Sequence, residues 1–153
     1  MSMLKGFYAS LLCGGLLMFG QSALADNMMM VRTGMTFPEA MSELQNMIRA
    51  KGYVVSRVQR VDIGLTQSGY KTDKYRVVFY GKPDEIRKLS QQHPQLNAYL
   101  PLKISIFAED TDTILVSANP RHLESLGGEE LAAAILRWEK DLADIFRQLG
   151  VVK

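Results

Sequence analysis

Met28, Met29 and Met30 stand in a row, and every methionine after residue 25 falls between Met28 and Met47. Thioether sulfur is a soft ligand that suits Cu(I), so the run admits a weak methionine-based copper site. Packing is the stronger explanation. Met41 and Met47 fit the apolar face of a helix, and Met29 or Met30 can fill a strand core as flexible apolar side chains. The histidines are His93 and His122, in separate segments, and the sole cysteine is Cys13. A structural or catalytic metal takes three or four side-chain ligands, which two separated histidines do not supply. We expect no bound metal and no cofactor.

Motifs for covalent and phosphate chemistry are missing. There is no G-x-S-x-G, and Ser68 in QSGY lacks the preceding glycine. No phosphate loop or G-x-G-x-x-G fingerprint occurs. Glu109, Asp110 and Asp112 cluster in a hairpin turn, where carboxylates are ordinarily solvated. Nothing marks a cleft that would split the pKa values of an acid–base pair. The expectation is a non-enzymatic protein, with an enzyme of unrecognised site as the competing reading. Arg32, Arg57, Arg60 and Arg76 all fall in strand candidates. They mark either a solvated sheet face or an anion-binding patch.

Residues 1–25 do not belong with the rest. Lys5 precedes an uncharged apolar run, Phe7 to Phe19, and Ala23-Leu24-Ala25 gives a small-x-small site before Asp26. That order is the signature of a secretory signal peptide. The run is short for a membrane span of ~20 residues. The expected address is therefore periplasmic or secreted, with membrane contact only if the segment stays uncleaved as an anchor. Residues 26–153 then form one α+β domain. Its charge is +1, because Lys5 leaves 17 basic residues against 16 acidic ones. So small a net charge offers no long-range field for nucleic acid.

Positioning falls to alternating strands and amphipathic helices. MMMVRT, Met28 to Thr33, reads as a first strand. Thr36, Pro38 and Glu39 open a helix whose apolar face is Phe37, Met41, Leu44, Met47 and Ile48. Gly52 ends it. Tyr53 to Leu65 reads as one long strand. Its apolar parity slips between Val58 and Val61, which predicts a bulge near Gln59 and Arg60. Lys74 to Gly81 is a second strand, apolar on both faces in its middle. Pro83 starts a short helix to Gln92. Pro101 cannot donate a backbone hydrogen bond, so it marks where the next strand begins. The DTD turn returns that strand as Thr113 to Ala118. Leu131, Ile135, Trp138, Leu142, Ile145 and Leu149 make the stripe of a long last helix. The predicted fold is an α+β two-layer sandwich: a curved, mostly antiparallel sheet, helices on one face, and the C-terminal helix across it.

Phe79, Gly81 and Pro83, then Leu100-Pro101-Leu102-Lys103-Ile104, Glu109-Asp110 and Asn119-Pro120, resemble the domain-of-unknown-function 302 family (DUF 302). The likeness covers about residues 33–123. It implies a small α+β domain with a curved antiparallel sheet, often a homodimer, and it carries over no catalytic residue.

The expected function is binding of a small ligand or a protein partner. A curved sheet under a long helix leaves a concave apolar space, and such spaces hold ligands. The groups expected to face it are Tyr53, Val55, Tyr75, Val77, Phe79 and Trp138, with Arg57 or Arg76 for an anionic group. Side chains filling that space are the plainer alternative. N-terminal sequencing of the exported protein should read Asp26 first; a full-length chain retained in the cytoplasm would remove the signal assignment.

Overall fold

The computed structural model describes residues 27–151, so the segment read as a signal peptide lies outside the described residues. Strand β1 (Met28–Thr33) is followed by helix α1 (Phe37–Ala50). The Thr36 backbone N–H donates to the Glu39 carboxylate at 3.1 Å, which satisfies one donor of the helix start. Lys51 closes α1, and Gly52 takes φ 79, a left-handed conformation that suits glycine.

The long strand expected from Tyr53 to Leu65 is two elements. Strand β2 spans Val54–Arg60 and helix α2 spans Val61–Gln67. The slip in parity at Val61 marks the change from period two to a helical turn. Asp62 in that turn is held by Arg76 of the next strand, and Arg76 also lies 5.7 Å from the Phe37 ring centroid. The expected bulge is also displaced. It falls at Ser56, because Val55 pairs with Tyr80 and Arg57 with Phe79, the next residue along.

Strand β3 (Tyr75–Gly81) leads into helix α3 (Pro83–Gln92). A 3-10 turn, Pro94–Ala98, then reaches strand β4 (Leu102–Glu109), which begins one residue after Pro101. Glu109 pairs with Asp112 across a two-residue turn in which Asp110 takes φ 52. Strand β5 (Asp112–Ala118), a second 3-10 turn (Pro120–Leu126) and helix α4 (Glu129–Val151) complete the described residues.

The strand order is β1-β5-β4-β3-β2, antiparallel throughout. Directly paired residues share a face. Val31, Leu115, Ile106 and Arg76 therefore point one way, with Val78 and Ile104 beside them. This inward face meets α1 through Ala40, Leu44 and Ile48, and α4 through the predicted stripe. Leu131, Ile135, Ile145 and Leu149 are fully buried and Trp138 is 2% exposed. The fold is thus α+β with helices on one face and α4 across it.

Truncating the indole should leave a large cavity between the layers. Trp138→Ala is expected to cost about 3–5 kcal/mol in a urea melt. A loss below about 1 kcal/mol would mean that α4 does not dock through this residue.

Candidate functional site

The space between the layers is occupied by side chains. Tyr53, Val55 and Trp138 face it as expected, and all three pack in or against the one core cluster. Tyr53 meets Tyr80 edge to face, with ring centroids 5.4 Å apart. Arg76 faces the same way, but its guanidinium is taken by Asp62, and burial leaves its side chain 15% exposed.

The other expected residues point away. Val77 is opposite Ser105 and Gln59, Phe79 is opposite Lys103 and Arg57, and Tyr75 is opposite Phe107. These four, Arg57, Tyr75, Val77 and Phe79, lie on the outward face of the sheet, so the expected grouping under the helix is corrected. Two causes act. Val77, Val78, Phe79 and Tyr80 are all apolar, so hydropathy cannot choose the inward parity. The extra residue at Ser56 then turns Arg57 to the face opposite Val55.

A polar network lies beside α4. The Trp138 Nε1–H donates to Glu85 Oε2 at 3.0 Å, and Arg137 pairs with the other oxygen of Glu85. The Tyr53 hydroxyl donates to Asp141 Oδ2 at 2.7 Å. Lys51 Nζ reaches Asp144 at 2.8 Å and Asp141 at 3.4 Å. Burial, reinforced by the Asp141 carboxylate, pushes the Tyr53 hydroxyl well above the ordinary tyrosine range. Burial does the same to Tyr80. Between α3 and α4 is a cleft of about 340 Å³ lined by Glu85, Lys88, Leu89, Ala133, Ala134 and Arg137 among others. Its cations are already matched: Lys88 pairs with Glu130 and Arg137 with Glu85. Arg137 Nε is buried without a hydrogen-bond partner among the described residues, and the ion pairs tie α3 and the connection between α1 and β2 to α4.

Among the described residues, no group of three or more His, Cys, Asp and Glu is placed to hold a metal ion. The methionine run is divided by strand alternation. Met29 packs against the core, whereas Met28 and Met30 point outward at 57% and 72% exposure. No described helix is long and apolar enough to cross a membrane.

The outward face is the surface that the sequence did not single out. One row crosses all five strands: Met30, Val116, Ser105, Val77 and Gln59. Beside it run Ile114, Phe107 and Tyr75, the last two edge to face with centroids 6.1 Å apart. None of these outward apolar residues belongs to the core cluster, although Ile114 is 5% exposed and Tyr75, Val77, Phe107 and Val116 are half-buried. Arg32 sits at one end and pairs with Glu109 and Asp112 across the strands. Arg57 and Lys103 are exposed at the other end and have no ion-pair partner among the described residues. The available signal was the alternation in KISIF and TILVS. It places Ser105, Phe107, Ile114 and Val116 opposite the inward isoleucines and leucine.

The two tyrosines give a pH dependence. In the unfolded chain tyrosine ionises near pH 10. Folded Tyr53 and Tyr80 stay neutral there, so their stabilising effect is full below that pH and is lost as pH rises above it. Tyr53→Phe should lower stability at neutral pH by about 1.5–3 kcal/mol, the worth of a hydrogen bond to a charged acceptor. It should also flatten the alkaline fall in the urea midpoint. An unchanged alkaline slope would exclude Tyr53 as a source.

Comparison with known proteins gives a family and a fold. The model of the family described as Domain of unknown function DUF302 matches residues 29–149, so the chain belongs to that family. The match includes α4, and so extends beyond the span of about 33–123 over which the resemblance was drawn. Among solved structures, the chain is similar to the uncharacterized conserved protein DUF302 from Bacillus stearothermophilus. The TM-score is 0.70 at 17% identity, covering 80% of this chain and 97% of that one. At that identity the likeness is one of fold. No curated relative matches the chain.

Proposed function

We propose that this DUF302 domain is an exported, non-catalytic binding module whose contact surface is the outward face of its sheet, and that the occupant is a second copy of the chain. The observation that carries the reading is the apolar centre of that face, from Met30 through Val116 to Val77, outside the core cluster. On that face Met30 is exposed, Val116, Phe107 and Val77 are half-buried and Ile114 is 5% exposed; a partly accessible apolar surface is one that protein interfaces cover. Export rests on the signal-like segment before Asp26.

Charge favours a second copy over an unrelated partner. Strand β4 carries Lys103 near one end and Glu109 at the other, on the same face. Arg57 joins the basic end, and Asp112 joins the acidic end, where Arg32 pairs with both carboxylates and leaves one negative charge in excess. A two-fold axis lying between the two faces and perpendicular to the strands lays each basic end over its partner's acidic end. That self-complementarity is what a closed, isologous dimer requires. Five strands ~4.8 Å apart and ~20 Å long offer roughly 500 Å² per copy, or about 1,000 Å² in total. That lies at the lower limit for a specific interface and suits a reversible dimer.

Small-ligand binding between the layers has less support, because that space is filled by the core. Binding in the cleft between α3 and α4 has less support as well, because its charges are paired.

Sedimentation of the mature protein should show a monomer–dimer equilibrium. Val77→Lys, at a half-buried site on the outward face, should abolish the dimer without lowering the urea midpoint of the monomer. Lys103→Glu should weaken the dimer, and Lys103→Glu with Glu109→Lys should restore it. A photo-crosslinker at Ser105 identifies the occupant in the exporting cell. An adduct with a different protein keeps the surface and removes the second copy. No adduct, with a monomer at millimolar concentration, removes both.

A further inference from the structure

We infer that Met28 and Met30 are a peroxide-reactive thioether pair whose oxidation opens the contact made by the outward face. The inference rests on the binding reading of that face.

Three observations place it. Strand alternation separates chemically identical neighbours: Met28 and Met30 are 57% and 72% exposed, and Met29 between them packs against the core. Met35, Met41 and Met47 pack against the core as well. Oxidation of methionine follows access to its sulfur, so the outward pair should react first. The pair also lies on the contact surface rather than at a neutral point of the fold. Met30 begins the row that continues through Val116, Ser105 and Val77, and Met28 is opposite Ala118. Finally, Val116 and Ala118 bring no side-chain donor to the new oxygen, and the guanidinium of Arg32 is already engaged by Glu109 and Asp112.

The step is balanced with one peroxide per sulfur. A lone pair of the thioether attacks the terminal peroxide oxygen. The O–O bond breaks, a sulfoxide forms, and the remaining oxygen leaves as water or an alcohol after taking a proton. Sulfur is oxidised by two electrons and the peroxide is reduced by two. The product is a polar, hydrogen-bond-accepting side chain where a flexible apolar one stood. Burying that oxygen in the dimer without a donor disfavours association, and a sulfoxide reductase reverses the change. The fold is spared, because the oxidised sulfurs lie outside the core. Association in turn should shield the pair, so that the dimer oxidises more slowly than the monomer.

The test titrates the mature protein with hydrogen peroxide and follows peptide masses and sedimentation together. Met28 and Met30 should each gain one oxygen before Met29, Met41 and Met47 do. The dimer dissociation constant should rise about tenfold or more per buried sulfoxide, and reductase treatment should reverse it. Met28→Leu with Met30→Leu should dimerise normally and ignore the same peroxide dose. Val77→Lys, held monomeric, should oxidise faster at Met30 than the wild type at high concentration. Equal oxidation of all six methionines would overturn the inference. So would an oxidised dimer of unchanged strength, or a Leu variant that remains peroxide-sensitive; in either case the binding face itself stands. A protein with no contact through that face before treatment leaves nothing to switch, and the binding reading and the inference fall together.

Discussion

The docking of α4 turns on Trp138, whose indole is 2% exposed and whose N–H is taken by Glu85 of α3. A buried indole N–H must find an acceptor, and Glu85 is the one that fits only when α3 and α4 lie side by side. Arg137, next along α4, holds the other oxygen of the same carboxylate. The two contacts together fix the rotation of α4 about its axis. That rotation turns Leu131, Ile135, Leu142, Ile145 and Leu149 onto the sheet, and puts Asp141 and Asp144 within reach of Tyr53 and Lys51. Gly150 continues the fit at the far end: a Cβ there would lie 2.8 Å from the Val31 side chain of β1.

A helix layer on one side only leaves the other side of the sheet with a problem. Antiparallel sheets can face water on one side when their outward residues are polar. In this chain β3 and β5 are apolar on the outward side as well as the inward one, β3 through Val77 and Phe79 and β5 through Ile114 and Val116. The outward face limits its own exposure by cross-strand contact, as in the edge-to-face pair of Tyr75 and Phe107. At the β1 edge it does not, and there Met28 and Met30 stand out. The fold thus explains its core by α1 and α4, and leaves a second apolar surface that the core does not explain.

Much of the fold was legible because its strongest signals are local and periodic. The α4 stripe, the Thr36–Glu39 start of α1, the Gly52 stop and the strand opening after Pro101 all follow from one element at a time. What failed depended on partners distant in the chain. Val61–Gln67 looks strand-like alone, and its helical turn is fastened by Arg76 of β3. The direction of β3 could not be read from four consecutive apolar residues. It is set by its pairing with β4, whose alternation of isoleucine with lysine and serine is unambiguous. The bulge at Ser56 then decides which way Arg57 faces. The candidate ligand set mixed two faces for these reasons, and the outward surface became visible once the register was known.

Membership of the DUF302 family bears on one of the two faces more than the other. The fold shared with the Bacillus stearothermophilus protein at 17% identity requires an apolar inward face, since without one the helices have nothing to cover. It makes no such demand outward, on the side away from α1 and α4. The charges and methionines on that side are therefore free of the packing that constrains Trp138 or Ile104. Met28, Met30, Lys103 and Glu109 are placed by the fold but not demanded by it. A function particular to this chain is best sought among residues of that kind, which is why the outward face outranks the filled interlayer space and the charge-paired cleft.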